Sequence, residues 1–247
     1  TVMHTIAPFL IERAFEQIKL DFCYQQLGGN IVSVGSAFDY SGLGCSHYCY
    51  NDIAMIKALP RTQIVYPAMP NEFEILFDQL YKNEYLTYFR LPANKHEIPI
   101  PNTSIVFGKA VEIQRGKDIT LIAAGPQLKS IMRAVEQLEQ DNISADVLYL
   151  PTIKPFDYQA VRNSVEKTRR VLSIEEHSVF GGLADEILRS IAGDFAFKSV
   201  FLNIPNLFVH GYGTYEDHCE HLGLTSDSIV RHVKQNLLVD EKNISSA

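Results

Sequence analysis

The sequence predicts an α/β protein of two units, each built on a mostly parallel sheet, and three observations carry that reading. Short apolar runs of strand character alternate with segments of helical periodicity, the pattern of βαβ units whose sheets are covered on both faces. A stretch at residues 92–102 with three prolines and the charged trio Lys95-His96-Glu97 has no apolar periodicity and reads as a linker. The length of 247 residues, 46% hydrophobic and 21% charged, suits one large or two modest domains.

In the first unit, residues 12–26 place Ala14, Phe15, Ile18 and Phe22 on one helical face, and Gly28-Gly29 ends the run. Residues 30–34 then read as a strand. A helix over 53–59 precedes a strand at 63–66. Residues 71–81 form a helix with Phe73, Leu76, Phe77 and Leu80 in phase, and residues 86–91 close the unit as an apolar strand. In the second unit, residues 118–123 read as a buried strand and Gly125-Pro126 as a turn. The helix over 127–140 carries Leu128, Ile131, Ala134, Val135 and Leu138 in phase. Strands follow at 145–150, 170–174 and 199–204, with helices at 158–167 and 183–192 between them. A last helix spans 225–238 with Thr225 as its N-cap, and a polar tail begins at Val239.

A net charge of -7 with only 22 Lys and Arg argues against a nucleic-acid surface, which needs clustered cations to neutralise phosphates. Cys23, Cys45, Cys49 and Cys219 form no C-x-x-C pair, so a reducing, cytoplasmic setting is expected. No apolar run approaches the ~18 residues that suggest a membrane span. Asp217-His218-Cys219-Glu220-His221 lacks the second ligand pair of a metal motif and reads as a solvated helical face. Cys45 and Cys49 flank His47, but no orienting Asn or Asp accompanies them.

The most informative stretch is Gly44-Cys45-Ser46-His47, followed by Asn51-Asp52-Ile53-Ala54, Leu59-Pro60 and Tyr66-Pro67-Ala68. A glycine turn bearing histidine just after an apolar strand puts an imidazole where α/β folds bind ligands, outside the carboxyl ends of the strands. In order and spacing this series resembles the pyrimidine-binding domain of the transketolase-like thiamine diphosphate enzymes. Ser173-Ile174-Glu175-Glu176-His177-Ser178, followed by Gly181-Gly182-Leu183-Ala184, is similar to a motif of the same family's C-terminal domain. That motif is taken as a fold signature, although a Gly-Gly helix start can also hold an anion. The resemblance runs from about Pro8 to Leu238. It implies a pyrimidine-binding domain at 1–92, incomplete at its N-terminus, the linker at 93–103 and the C-terminal domain at 104–247.

What the resemblance implies for function is transfer of a two-carbon ketol or acyl unit with thiamine diphosphate and magnesium. His47 would bind or protonate a substrate oxygen; the alternative is a turn histidine bonded to backbone. The segment from Pro8 to Gln17 resembles the part of the family that flanks the cofactor's aminopyrimidine. It puts Leu10 where a stacking Phe is expected, with Phe9 one position away, and Arg13 on the pocket arginine. Either the ring stacks on an aliphatic surface there or the local backbone differs; a helix start with a core-facing Phe and a solvated Arg is the equal alternative. Arg90 falls near family arginines that bind substrate phosphate, and pairing with a structural carboxylate is the equal alternative.

Three departures bear on the expected chemistry. Leu43 stands where the family has an Asp that bonds a sugar hydroxyl, which leaves the substrate open between a sugar and a 2-oxoacid. The family's catalytic glutamate belongs upstream of Pro8, and the diphosphate-magnesium motif is absent from this sequence. The expected partner is therefore a diphosphate-binding transketolase-like N-terminal subunit, in a dimer or heterotetramer. Two rival readings stand beside it: a beta-type subunit of a 2-oxoacid dehydrogenase, and a non-catalytic assembly or regulatory member.

Overall fold

A computed structural model of the chain describes residues 1–238; the tail from Val239 lies outside them. Among the described residues the chain forms two five-stranded sheets. Strands β1 (Val2–Ile6), β2 (Gly29–Val34), β3 (Thr62–Val65) and β4 (Leu86–Leu91) build the first, all parallel, in the order β1-β2-β4-β3. The second contains β5 (Val111–Gln114), β6 (Ile119–Ala123), β7 (Ala145–Tyr149), β9 (Arg170–Ser178) and β10 (Lys198–Ile204) in the order β10-β9-β6-β7-β5. Only its edge strand β5 runs antiparallel. The expectation of mostly parallel sheets holds.

The two units share a sheet. Strand β8 (Thr152–Lys154), which follows β7 in the second half, crosses over and pairs antiparallel with β3. The Lys154 ammonium then donates to the carbonyls of Lys57 and Leu59 and to the Thr62 hydroxyl, at 3.1, 2.8 and 2.8 Å. These carbonyls end helix α2 (Asp52–Lys57), where a cation also meets the negative end of the dipole. Residues 92–102 are held as well: His96 is buried against Glu72, Nε2 to Oε1 2.8 Å.

Strand periodicity sorts the side chains into two cores. In the first sheet Ile31, Ile64 and Tyr88 face one way, toward Ile53 and Ile56 of α2. Their neighbours Val32, Val65 and Phe89 face the other, toward Leu76 and Leu80 of α3 (Pro70–Leu80). The second sheet repeats the scheme. Leu121, Val147 and Leu172 meet α4 (Leu128–Gln140), whereas Ile122, Leu148 and Val171 meet α5 (Tyr158–Thr168) and α6 (Leu183–Ile191). Each core draws on both sheets. Helices α7 (Tyr215–His221) and α8 (Ser226–His232) complete the second unit.

Several elements differ from the sequence reading. The single helix expected over 12–26 is broken into a wide π-type turn at Pro8–Glu12, the short α1 (Phe15–Gln17) and a second π-type turn at Ile18–Tyr24. Strand β9 runs on through Glu175-Glu176-His177 to Ser178 instead of stopping at Ile174. Strands β1, β5 and β8 were not anticipated. The last helix is regular only to His232 and continues as a π-type turn at Val233–Leu237.

Candidate functional site

Adjacent parallel strands β1 and β2 end on the same edge of the first sheet, and the two segments that leave them carry the expected site residues. From β1 the chain turns at Pro8 and presents Phe9. From β2 it enters the loop 35–50, pinched by reciprocal bonds between Ala37 and Cys49, N to O 2.8 and 3.0 Å. Two 3₁₀ turns, Ser41–Leu43 and Cys45–His47, meet at Gly44, whose φ of +76° lies in the left-handed region that favours glycine. A Cβ at this position would also come within 2.9 Å of the Tyr212 ring.

The turn brings three of the sequence-predicted residues together. The His47 ring lies 5.2 Å from the Phe9 ring, edge to face, and the Arg13 guanidinium sits 4.2 Å from the centroid of Phe9. Tyr40 approaches His47 at 6.3 Å. His47 is half-buried, and its Nδ1 lies 3.0 Å from the Ser46 hydroxyl, which leaves Nε2 to meet a ligand. The histidine is therefore not bound to backbone. Leu10, half-buried like Phe9, packs against the core that contains Ile11 and Ile18.

Arg90 is separate. It is 0% exposed, its Nε 2.7 Å from Asp52 Oδ2, with Nη2 donating to the carbonyls of Cys49 and Glu176 at 3.0 and 3.1 Å. Its guanidinium stacks 4.4 Å over the Tyr66 ring, and the Tyr88 hydroxyl donates to the same Asp52 oxygen at 2.6 Å. Of the two readings of Arg90, the structure displays the carboxylate pair. Through Cys49 it ties the His47 loop to the sheet, and through Glu176 it ties the first unit to the second.

The Glu175-Glu176-His177 run forms the other half of this seam. Glu175 accepts the first N–H groups of α6, from Leu183 and Ala184 at 2.7 and 3.2 Å. Burial outweighs those bonds and pushes its carboxyl up to about 7. Glu176 accepts from Tyr66, Gln127 and Tyr215. His177 accepts the Ala54 N–H at the start of α2, 3.3 Å, and Nδ1 lies 2.9 Å from the Ser178 carbonyl; burial lowers its pKa to about 4. These groups knit the units together, as a fold signature should.

The remaining candidates fall away. His218 is buried, stacked on Phe38 with its Nε2 3.0 Å from the Tyr48 hydroxyl, so the 217–221 run is not fully solvated. No group of three or more His, Cys, Asp or Glu is arranged to hold a metal among the described residues. Cys45 is exposed and Cys49 buried. Sequence reasoning missed the loop after β10: Tyr212 packs on Gly44, the Gly211 carbonyl accepts from Tyr48 at 2.8 Å, and Leu207 and Phe208 stand exposed. Its signal was a cluster of aromatic and apolar residues in the glycine-bearing stretch 205–213.

As a donor set, an aromatic face, a guanidinium plane and an imidazole edge suit a flat heteroaromatic ring with polar substituents, such as an aminopyrimidine.

A pair of packed α/β units, with aromatic and histidine side chains at the strand ends of the first, defines the class: a two-sheet α/β protein. The chain belongs to the transketolase family. A family model described as the transketolase C-terminal domain matches residues 108–229. The chain is 30% identical over 228 residues to an apulose-4-phosphate transketolase subunit from Actinobacillus succinogenes, covering 91% of this chain and 73% of that protein. It is 29% identical over 188 residues to 1-deoxy-D-xylulose-5-phosphate synthase of Halothermothrix orenii, covering 73% of this chain but 29% of the synthase. Among solved structures, a split-gene transketolase described as an inactive beta4 tetramer superposes with a TM-score of 0.86 at 27% identity, over 96% of this chain and 76% of that one. No helix among the described residues is long and apolar enough to cross a membrane.

Proposed function

We propose that this chain is the pyrimidine-side subunit of a split transketolase, transferring a two-carbon ketol unit together with a diphosphate-binding partner subunit. The observation that carries the reading is the convergence of Phe9, Arg13 and His47 at the ends of β1 and β2. When bound, thiamine diphosphate supplies the carbon that accepts and donates the two-carbon unit. Phe9 and Arg13 provide a flat wall for its pyrimidine ring. His47, with Nδ1 engaged by Ser46, turns Nε2 toward the substrate side, where it binds the substrate's oxygen or moves a proton to it. Magnesium and the diphosphate are assigned to the partner, because the diphosphate-magnesium motif is absent from this sequence.

The naming of several relatives as transketolase subunits supports the two-chain arrangement and favours ketol transfer over a 2-oxoacid dehydrogenase role. Leu43 stands 55% exposed on the turn before His47 and offers no acceptor to a substrate hydroxyl. The test is a coupled ketol-transfer assay of this chain mixed with a diphosphate-binding transketolase subunit, thiamine diphosphate and magnesium. Turnover that depends on both chains supports the proposal. Binding of the cofactor without turnover on any ketose donor would favour the non-catalytic role.

A further inference from the structure

His47 is followed directly by Tyr48, which is 3% exposed and whose hydroxyl is the meeting point of three segments. It lies 2.8 Å from the Gly211 carbonyl of the loop after β10, 3.3 Å from the Ser41 carbonyl at the start of the site turn, and 3.0 Å from His218 Nε2 of α7. We infer that Tyr48 is a positioning residue: through its hydroxyl the second unit sets where the His47 imidazole stands. The inference rests on the role proposed for His47 and adds to it a part for Gly211 and His218.

A phenol has one hydrogen to give, and carbonyls only accept. That hydrogen serves the carbonyls, with Gly211 the nearer, so His218 must bring its own hydrogen on Nε2 and donate it to the Tyr48 oxygen. The geometry thereby fixes the tautomer. The His218 ring is held for this by stacking on Phe38, centroids 5.1 Å apart at 27°, while Tyr48 meets the His218 and Phe38 rings edge to face at 5.3 and 5.6 Å. Buried polar groups paired in this way hold a single arrangement, because leaving one of them unpaired is costly.

These bonds bracket the site turn. Ser41 opens the first of its two 3₁₀ turns and Tyr48 ends the second, so one hydroxyl closes the segment 41–48 that contains His47. The loop after β10 follows the same segment: the Val209 N–H donates to the Tyr50 hydroxyl at 3.4 Å, Gly211 meets Tyr48, and Tyr212 packs on Gly44. The His47 side chain has only the Ser46 hydroxyl as a hydrogen-bond partner among the described residues. The place of its ring therefore depends on the backbone that Tyr48 fixes.

Long-range proton–nitrogen NMR spectra of the imidazole rings test this in the chain alone, and ketol-transfer kinetics test it in the reconstituted pair. His218 should show the Nε2–H tautomer, and Tyr48→Phe should move the His47 ring signals while the chain still melts cooperatively. In the pair, Tyr48→Phe should lower kcat/KM for the ketose about tenfold. Where His47→Ala is already present the further loss should be about twofold at most, because a residue acting through His47 then has nothing left to position. A merely structural residue would cost the same in both backgrounds. His218→Leu should reproduce the loss, and His218→Gln, which keeps a donor near the place of Nε2, should restore most of it. The inference is overturned by the Nδ1–H tautomer at His218, by His47 signals unmoved in Tyr48→Phe, or by equal losses with and without His47. Absence of turnover in the native pair would instead defeat the function proposed above, and the spectra of the chain alone would still decide what positions His47.

Discussion

His47 and Arg90 both touch the loop 35–50, one at its tip and one beneath it, and substitution should separate their roles. His47 is half-buried and bonded only to its neighbour Ser46, so His47→Ala should change stability by no more than about 0.5 kcal/mol. Ketol transfer by the reconstituted pair should fall about 10²- to 10⁴-fold, the usual contribution of a positioned proton-transfer group. Arg90→Met leaves Asp52 buried without its cation, and urea unfolding should report a loss of about 3–5 kcal/mol. Arg90→Lys should recover little of that, because an ammonium cannot reproduce the planar fork that meets Asp52, Cys49 and Glu176 together. The sequence made His47, Phe9 and Arg13 legible because the glycine turn and the segment before it are local patterns. Arg90 was legible only as a choice of two roles. Its partner Asp52 lies 38 positions earlier, and only the fold brings the two together.

Strand β9 holds two buried titrating groups whose effects on stability oppose each other. Glu175 is raised from 4.5 to about 7, so its contribution is full below about 4.5 and is lost as pH rises through about 7. His177 is lowered from 6.5 to about 4, so its contribution is full above about 6.5 and is lost as pH falls through about 4. Between pH 4.5 and 6.5 the two slopes offset, which predicts a nearly flat contribution from this pair. Glu175→Gln removes one slope, and its stability relative to the native chain should then rise with pH across that window in urea titrations. At β8, Lys154→Met removes the ammonium from the last carbonyls of α2 and should cost about 1–3 kcal/mol of stability by chemical denaturation. Neither element was fully visible beforehand. The charged run Glu175-Glu176-His177 looks like the end of a strand until its partners from α2, α6 and α7 are in place. The three residues of β8 lie between Pro151 and Pro155, which read as punctuation. The helix expected over 12–26 kept its apolar face but not its regular winding.

At the scale of the molecule, each core runs through both sheets, β8 stitches the second half onto the first, and the Asp52–Arg90–Glu176 seam closes the gap between them. The loops after β1, β2 and β10 meet there, with Phe9 against His47 and Tyr212 packed on Gly44. On the proposed function, this surface is one half of a cofactor site shared between two chains. It is tested by titrating thiamine diphosphate with magnesium into this chain alone, into a diphosphate-binding transketolase subunit alone, and into their mixture. Tight binding should occur only in the mixture, weakened about tenfold or more when Phe9→Ala removes the ring face. Binding of equal affinity to the partner alone, unaffected by Phe9→Ala in the mixture, would contradict a shared site.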